Sequence, residues 1–417
     1  MADDQKALRL ARTIWPYTGL QLASITVNLA NAITAVVYPW LVYDLSGNAS
    51  WMGIIAALTL FPAIFGSAFG GIIAEKVGIR RMALVSVAMG TAAAVAAAAA
   101  HDAGMLTIGL LASLALLGAI LDGPGGIAIE ARVPEIARLA RLPLIRANAI
   151  DDLVDNGAAI AGPAIAAFLV AVASTTVLLW IIAVINLVAA VLVALSVPRF
   201  RLRRIAGSTV GQMKAGLGFI FGQPTLRSAL ILAGIGTSVF VAVEGIALPA
   251  ILRTEGRSAA LLGMFLAAAS AGAIASNVAL AFASQAPSLR GIFSTAFAGL
   301  AAGVALLLFG RSVPIMIASG AMLGVAAGPL SPVFATLLQS SVPKDLRANV
   351  IGISMSLVLL GAPAAALVTG VALDSFGATA VLVACSALLL SCALAALAMS
   401  GLRGVTASLS GEAARQE

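Results

Sequence analysis

The chain has 417 residues, 61% of them hydrophobic and only 10% charged, and its mean hydropathy is +1.08. A water-soluble globule carries about 25% charged residues, so the composition excludes one and leaves a polytopic membrane protein. A formal charge of +7 and a pI near 10.1 would suggest nucleic acid in a soluble protein; in a membrane protein the placement of the bases decides their meaning.

The first sixteen residues mix Asp3 and Asp4 with Lys6, Arg9 and Arg12. They lack a short apolar region with a small-residue cleavage site and do not read as a cleaved signal peptide. Apolar runs follow at 18–42, 50–74, 82–100, 105–129, 149–172 and 175–197, then at 227–252, 258–283, 291–310, 313–338, 350–373 and 378–400. Each is close to the roughly 20 residues that cross a bilayer as a helix. The expected fold is all-α: twelve transmembrane helices in two sets of six. The first bundle takes residues 1–197, a cytoplasmic linker 198–226, and the second bundle with a short tail 227–417.

In the first span Asn28 and Asn31 are three apart on one helix face, placed either to line a cavity or to tie helices together. Between the second and third spans lies Gly71-Ile-Ile-Ala-Glu75-Lys76-Val-Gly78-Ile-Arg80-Arg81, expected as a short charged hairpin in water or headgroups. Asp122 lies deep in the fourth span; followed by Gly123-Pro124-Gly125-Gly126, it reads as a functional acid or as the mark of a helix break. No Lys-Ser/Thr follows these glycines, so they are not a phosphate loop. Asp151 and Asp152 suit the positive start of the fifth helix, while Asp155 and Asn156 lie deeper.

The linker holds Arg199, Arg201, Arg203, Arg204 and Lys214, and Met213, Leu217, Ile220 and Phe221 recur at helical intervals. This part is expected to lie on the membrane surface as an amphipathic helix. Glu244 sits well inside the seventh span. At the bilayer centre a carboxylate costs on the order of 2.5–3.5 kcal/mol on insertion scales, so such a group faces a cavity or carries a proton. Glu244 is therefore the first candidate for proton coupling or for holding a cationic substrate, against the plainer role of bonding a neighbouring helix. Cys385 and Cys392 share one helix too far apart to bridge and read as small apolar fillers. The single histidine, His101, adjoins Asp102 in a turn and reads as solvated.

With the N-terminus inside, all 24 Lys and Arg fall in cytoplasmic segments except Arg253, Arg257 and Arg311. The basic pI is thus a topology signal that puts both termini in the cytoplasm, and no nucleic-acid partner is expected. The halves also repeat. Pro39 and Gly53 are spaced as Pro249 and Gly263 are; the same shift places Glu75 on Gln285 and Arg80 on Arg290. Later, Arg146-Ala147-Asn148 is echoed by Arg347-Ala348-Asn349, and Gly123-Pro124 by Gly328-Pro329. Two related bundles place a substrate site near mid-membrane at the repeat interface.

The order Gly71, Glu75, Lys76, Gly78, Arg80, Arg81 resembles the loop motif between helices two and three of the major facilitator superfamily, with Glu75 where the family usually has Asp and Ile79 where it often has a base. Tyr38-Pro39-Trp40-Leu41-Val42-Tyr43-Asp44 followed by Gly53, and Val133-Pro134-Glu135 followed by Arg146-Ala147-Asn148, are similar to the macrolide-efflux type of drug:proton antiporter. Gly162-Pro163 is similar to the antiporter motif of the fifth helix, although Ala158, Ala166 and Ala167 stand where that motif prefers Gly. The resemblance implies the twelve-helix, two-bundle fold. It also implies a gate in which Glu75 meets the positive end of a helix in the other half.

The expected function is a proton-coupled secondary transporter of the plasma membrane, exporting amphipathic or hydrophobic small molecules by alternating access. Its partners are a small-molecule substrate, protons and lipid; it works as a monomer, with the proton gradient as energy source and no cofactor or metal. Alternatives are a carrier of one metabolite, such as a siderophore or lipid-like molecule, and a non-transporting membrane receptor. An enzyme is not expected: no Walker-type sequence is present, His101 is misplaced for a Ser/His pair, and a dyad of Asp122 with Asp155 has no supporting motif.

Overall fold

In a computed structural model, residues 2–77, 79–121, 172–196, 209–257, 259–281, 288–343 and 347–402 are described, together with 136, 140, 150, 154, 157, 162, 165, 166, 168 and 169. The elements are helices: α1 (Ala2–Ser46), α2 (Ala49–Val77), α3 (Ile79–Asp102), α4 (Ile108–Ile120), α5 (Thr175–Ser196), α6 (Thr209–Gly222) and α7 (Pro224–Phe240). A π-helical turn, Val241–Ala247, leads into α8 (Leu248–Thr254). After it come α9 (Ala259–Ala281), α10 (Leu289–Leu306), α11 (Val313–Ala327), α12 (Leu330–Ser341), α13 (Arg347–Leu359) and α14 (Ala362–Ala398).

Among the described residues eight stretches are long and apolar enough to cross a membrane. The longest, Val350–Ala398, has 49 residues, far more than one crossing needs. It divides at Gly377, whose φ of 79° is open to glycine but strained for other residues, and so accommodates the two runs expected at 350–373 and 378–400. The run at 149–172 falls on residues that are mostly outside those described.

The chain forms two compact units, one of residues Met1–Ser46 and Leu58–Ala206, the other of Gly47–Ala57 and Gly207–Glu417. In the first, α5 packs on α1 and α3. Its Leu178, Leu179, Ile182, Ala183, Ala189 and Val193 are buried, while Val177, Val184, Leu187, Val188, Val191 and Leu195 are exposed. Both faces are apolar, as a helix requires when one side meets protein and the other lipid. Tyr17, Leu20, Ala23, Ala83 and Val193 form a core beneath it.

In the second unit α9 and α11 meet backbone to backbone. A Cβ on Gly320 would collide with the carbonyl of Phe265, one on Gly324 with Ala269, and one on Gly272 with Ala321. Gly320, Gly324 and Gly328 recur every four residues on one face of the chain. Without a hydrophobic force between helices in lipid, such small-residue faces allow the close approach that dispersion needs.

Most of the stretch 71–81 is helical. α2 runs to Val77 and α3 starts at Ile79, leaving only position 78 between them. Glu, Lys and Arg favour helix, so the charged residues extend the two helices toward their connection. In the linker, α6 packs against α13 and α7, with Ile220 buried and Phe221 exposed. Part of its apolar face therefore meets protein.

Arg80 and Arg290, matched by the repeat, do the same work. Arg80 Nη2 donates to the carbonyl of Ala194 at 3.1 Å, and Arg290 Nη2 donates to the carbonyl of Leu397. Each cation meets the free carbonyls at the end of the last long helix described in its unit, where a positive charge is favourable.

Candidate functional site

Glu244 occupies the centre of the π-helical turn. The cause of that turn lies in the sequence: Pro249 has no N–H to give Gly245, and its ring would strike the Gly245 carbonyl in a regular α-helix. Widening the preceding turn relieves the clash, and Leu248 N–H bonds the carbonyl of Val243 instead. Such turns are rare and concentrate at functional sites.

The turn borders a cavity of about 330 Å³ within the second unit. α7, α10, α11, α12, α13 and α14 all contribute to its wall, which is apolar apart from Thr237, Glu244 and Ser331. Phe240, Phe297 and Phe334 supply aromatic surface. Gly236 allows Phe297 in, since a Cβ there would lie 3.3 Å from the ring. Glu244 is packed among protein atoms yet keeps accessible surface, because it borders this space. Among the described residues no Lys, Arg or His lines the cavity, which leaves a proton or a cation from outside to balance the carboxyl there. Among the described residues no three His, Cys, Asp or Glu gather where a metal could bind.

The other candidates divide. Asn28 is half-buried and its Nδ2 donates to Ser24 Oγ at 3.5 Å within α1; Asn31 is exposed. Gly71, Glu75 and Lys76 are on the last turns of α2, with side chains outside the described residues, as is Gly78. Arg80 caps α5 and Arg81 is exposed. Asp122, Asp155, Asn156 and Pro163 lie outside the described residues. Gly162 is buried, and a Cβ on it would sit 2.8 Å from that of Ala32 in α1, so this position serves close helix approach.

Two contacts escaped the sequence reading. Asp102 accepts a 2.6 Å bond from Trp180 Nε1, so the turn around His101 is anchored to α5. Asp374 accepts from the backbone N–H of Ala49 and Ser50 and from Ser50 Oγ. The signal for it was thin: an acid close before Gly377, and an α2 without acid in its first turn.

The sequence model of the Major Facilitator Superfamily matches residues 20–282, more than half of the chain. The chain belongs to this superfamily. It is 27% identical over 397 residues to the Multidrug efflux pump Tap of Mycolicibacterium fortuitum, covering 93% of this chain and 96% of that one. To the Tap pump of Mycobacterium tuberculosis (strain ATCC 25618 / H37Rv) it is 25% identical over 390 residues, covering 91% and 92%. Among solved structures, the nucleoside transporter NupG superposes with a TM-score of 0.66 at 13% identity, over 92% of this chain and 98% of that one. The D-xylose-proton symporter does so at 0.67 and 14%, over 93% and 96%. These likenesses establish the fold, and the protein is a multi-pass membrane transporter with a small-molecule substrate.

Proposed function

We propose that this superfamily member exports amphipathic or hydrophobic small molecules of several kinds, driven by the proton gradient and working by alternating access. The observation that carries the reading is Glu244, one carboxyl on a π-helical turn at the wall of an otherwise apolar, aromatic-lined cavity. An ionised carboxylate there is costly, so it binds either a proton or the positive end of a substrate. Exchange of one for the other couples the two flows. The phenyl faces suit apolar bodies and cations alike. The name of the Tap relatives, multidrug efflux pumps, supports the export direction.

In this reading the protein lies in the plasma membrane as a monomer with both termini in the cytoplasm, and it needs no cofactor beyond the gradient. The gate of Glu75 with Lys76, Arg80 and Arg81, and roles for Asp122, Asp155 and Asn156, belong to the same proposal. It is tested with the purified full chain in liposomes, measuring proton release when a lipophilic monocation such as tetraphenylphosphonium is added to either side. Proton counterflow that requires the protein and depends on the added compound is expected. Compound movement with no proton movement would contradict it.

A further inference from the structure

The contact of Asp374 with the start of α2 is built from several parts. Residues 47–57 pack as part of the second unit, whereas α2 from Leu58 onward belongs to the first. The start of α2 has its own cap: Asn48 Oδ1 accepts from Trp51 N–H at 3.2 Å. That leaves the first N–H groups of the helix, which the cap does not reach. Asp374 supplies them, accepting from Ala49 N–H at 3.0 Å and Ser50 N–H at 2.8 Å, and also from Ser50 Oγ at 2.5 Å.

Below the carboxylate the backbones touch. A Cβ on Gly53 would collide with the Ala366 carbonyl, and one on Gly370 with the backbone of Ala49 and Ser50. Ala366, Gly370 and Asp374 are spaced four apart and so lie along one face of α14, fitted to the first turns of α2. The repeat offers no second copy: the register that matches Arg146-Ala147-Asn148 to Arg347-Ala348-Asn349 puts Ala173 where Asp374 stands.

We infer that Asp374 is a clasp, holding the Ala49 end of α2 in the second unit and letting go of it during the transport cycle. The inference rests on the alternating-access reading above, in which one set of helices moves against the other. The start of α2 packs with the second unit and the rest with the first, so if the helix stays straight while the units move, one set of its contacts must give way. A charge-assisted contact at an accessible edge suits repeated breaking, because water replaces every bond it gives up. Glycine surfaces beneath it part without leaving holes shaped by large side chains.

The test uses the full chain with Cys385→Ala and Cys392→Ala, spin-labelled at Leu45→Cys in the first unit and Phe376→Cys in the second, both exposed. Distances are measured without substrate. Asp374→Asn is expected to move the distribution to longer separations, Ser50→Ala to move it less in the same direction, and Asp374→Glu to restore most of it. Should Asp374→Asn fail to give a monodisperse protein, Ser50→Ala, which removes a single bond, decides. An unchanged distribution in the variants would overturn the clasp. Because distances are read without transport, a wild-type protein that moves no protons would sink the proposed function while leaving this result to stand or fall by itself.

Discussion

Spans one and seven are related by the internal repeat, yet they solve the same problem differently. Each carries a proline at the matched position, Pro39 in α1 and Pro249 in α8. α1 stays α-helical through Pro39 to Ser46, whereas the seventh span opens into a π-helical turn just before Pro249. The residue four before the proline is Ala35 in one and Gly245 in the other, and glycine gives its carbonyl more freedom to swing clear of the ring. The matched partner of Glu244 in the first span is Thr34. A duplicated frame has thus acquired a charged group and the local distortion that aims it in one copy only. The plainer parts of the frame, such as Arg80 and Arg290 on their helix ends, stayed alike.

The largest effect expected from breaking this frame is at Gly324. A valine there drives a side chain into the Ala269 backbone, and overpacking of this kind costs about 3 kcal/mol. The variant should lose its monodisperse peak on size exclusion, while Gly118→Ala in the first unit, whose added Cβ would lie 3.8 Å from Ala93, should fold normally.

Next comes the proline pair. Pro249→Ala allows the π turn to close into α geometry, which turns Glu244 by about 100° against the residues that follow. Export should fall on the order of tenfold, since misplacing a reacting group by about 1 Å costs up to ~100-fold. Pro39→Ala should leave export near wild type. Equal losses from the two would show that the two spans do not differ as described.

The smallest effect is at the matched arginines. Arg80→Gln and Arg290→Gln each remove a cation from a helix end, worth about 0.3–1 kcal/mol at an exposed site. Thermal unfolding in detergent should shift slightly and by similar amounts; a large difference between them would argue that only one acts as a cap.

Much of this was legible in the sequence because lipid demands long apolar runs and leaves few places for charge. The helices near 18–42, 82–100, 175–197 and 291–310, the match of Arg80 with Arg290, and the isolation of Glu244 all follow from that demand. The π turn was not legible: it depends on how the Pro249 ring and the Gly245 carbonyl avoid each other, which no periodicity records. Asp374 drew no notice in the sequence because its partners, Ala49 and Ser50, are more than 300 residues away in the chain. In the charged stretch at 71–81 the residues signal water and also favour helix, so the two helices run up to position 78 from either side.

The most direct test of the account is Glu244→Gln in liposomes, comparing uptake driven by a proton gradient with exchange of labelled for unlabelled substrate at equal pH. The amide keeps the shape of the side chain and removes its titration. Gradient-driven movement should drop to the background of empty liposomes while exchange persists. Gradient-driven movement at the wild-type rate would contradict the claim that this carboxyl couples the proton to the substrate.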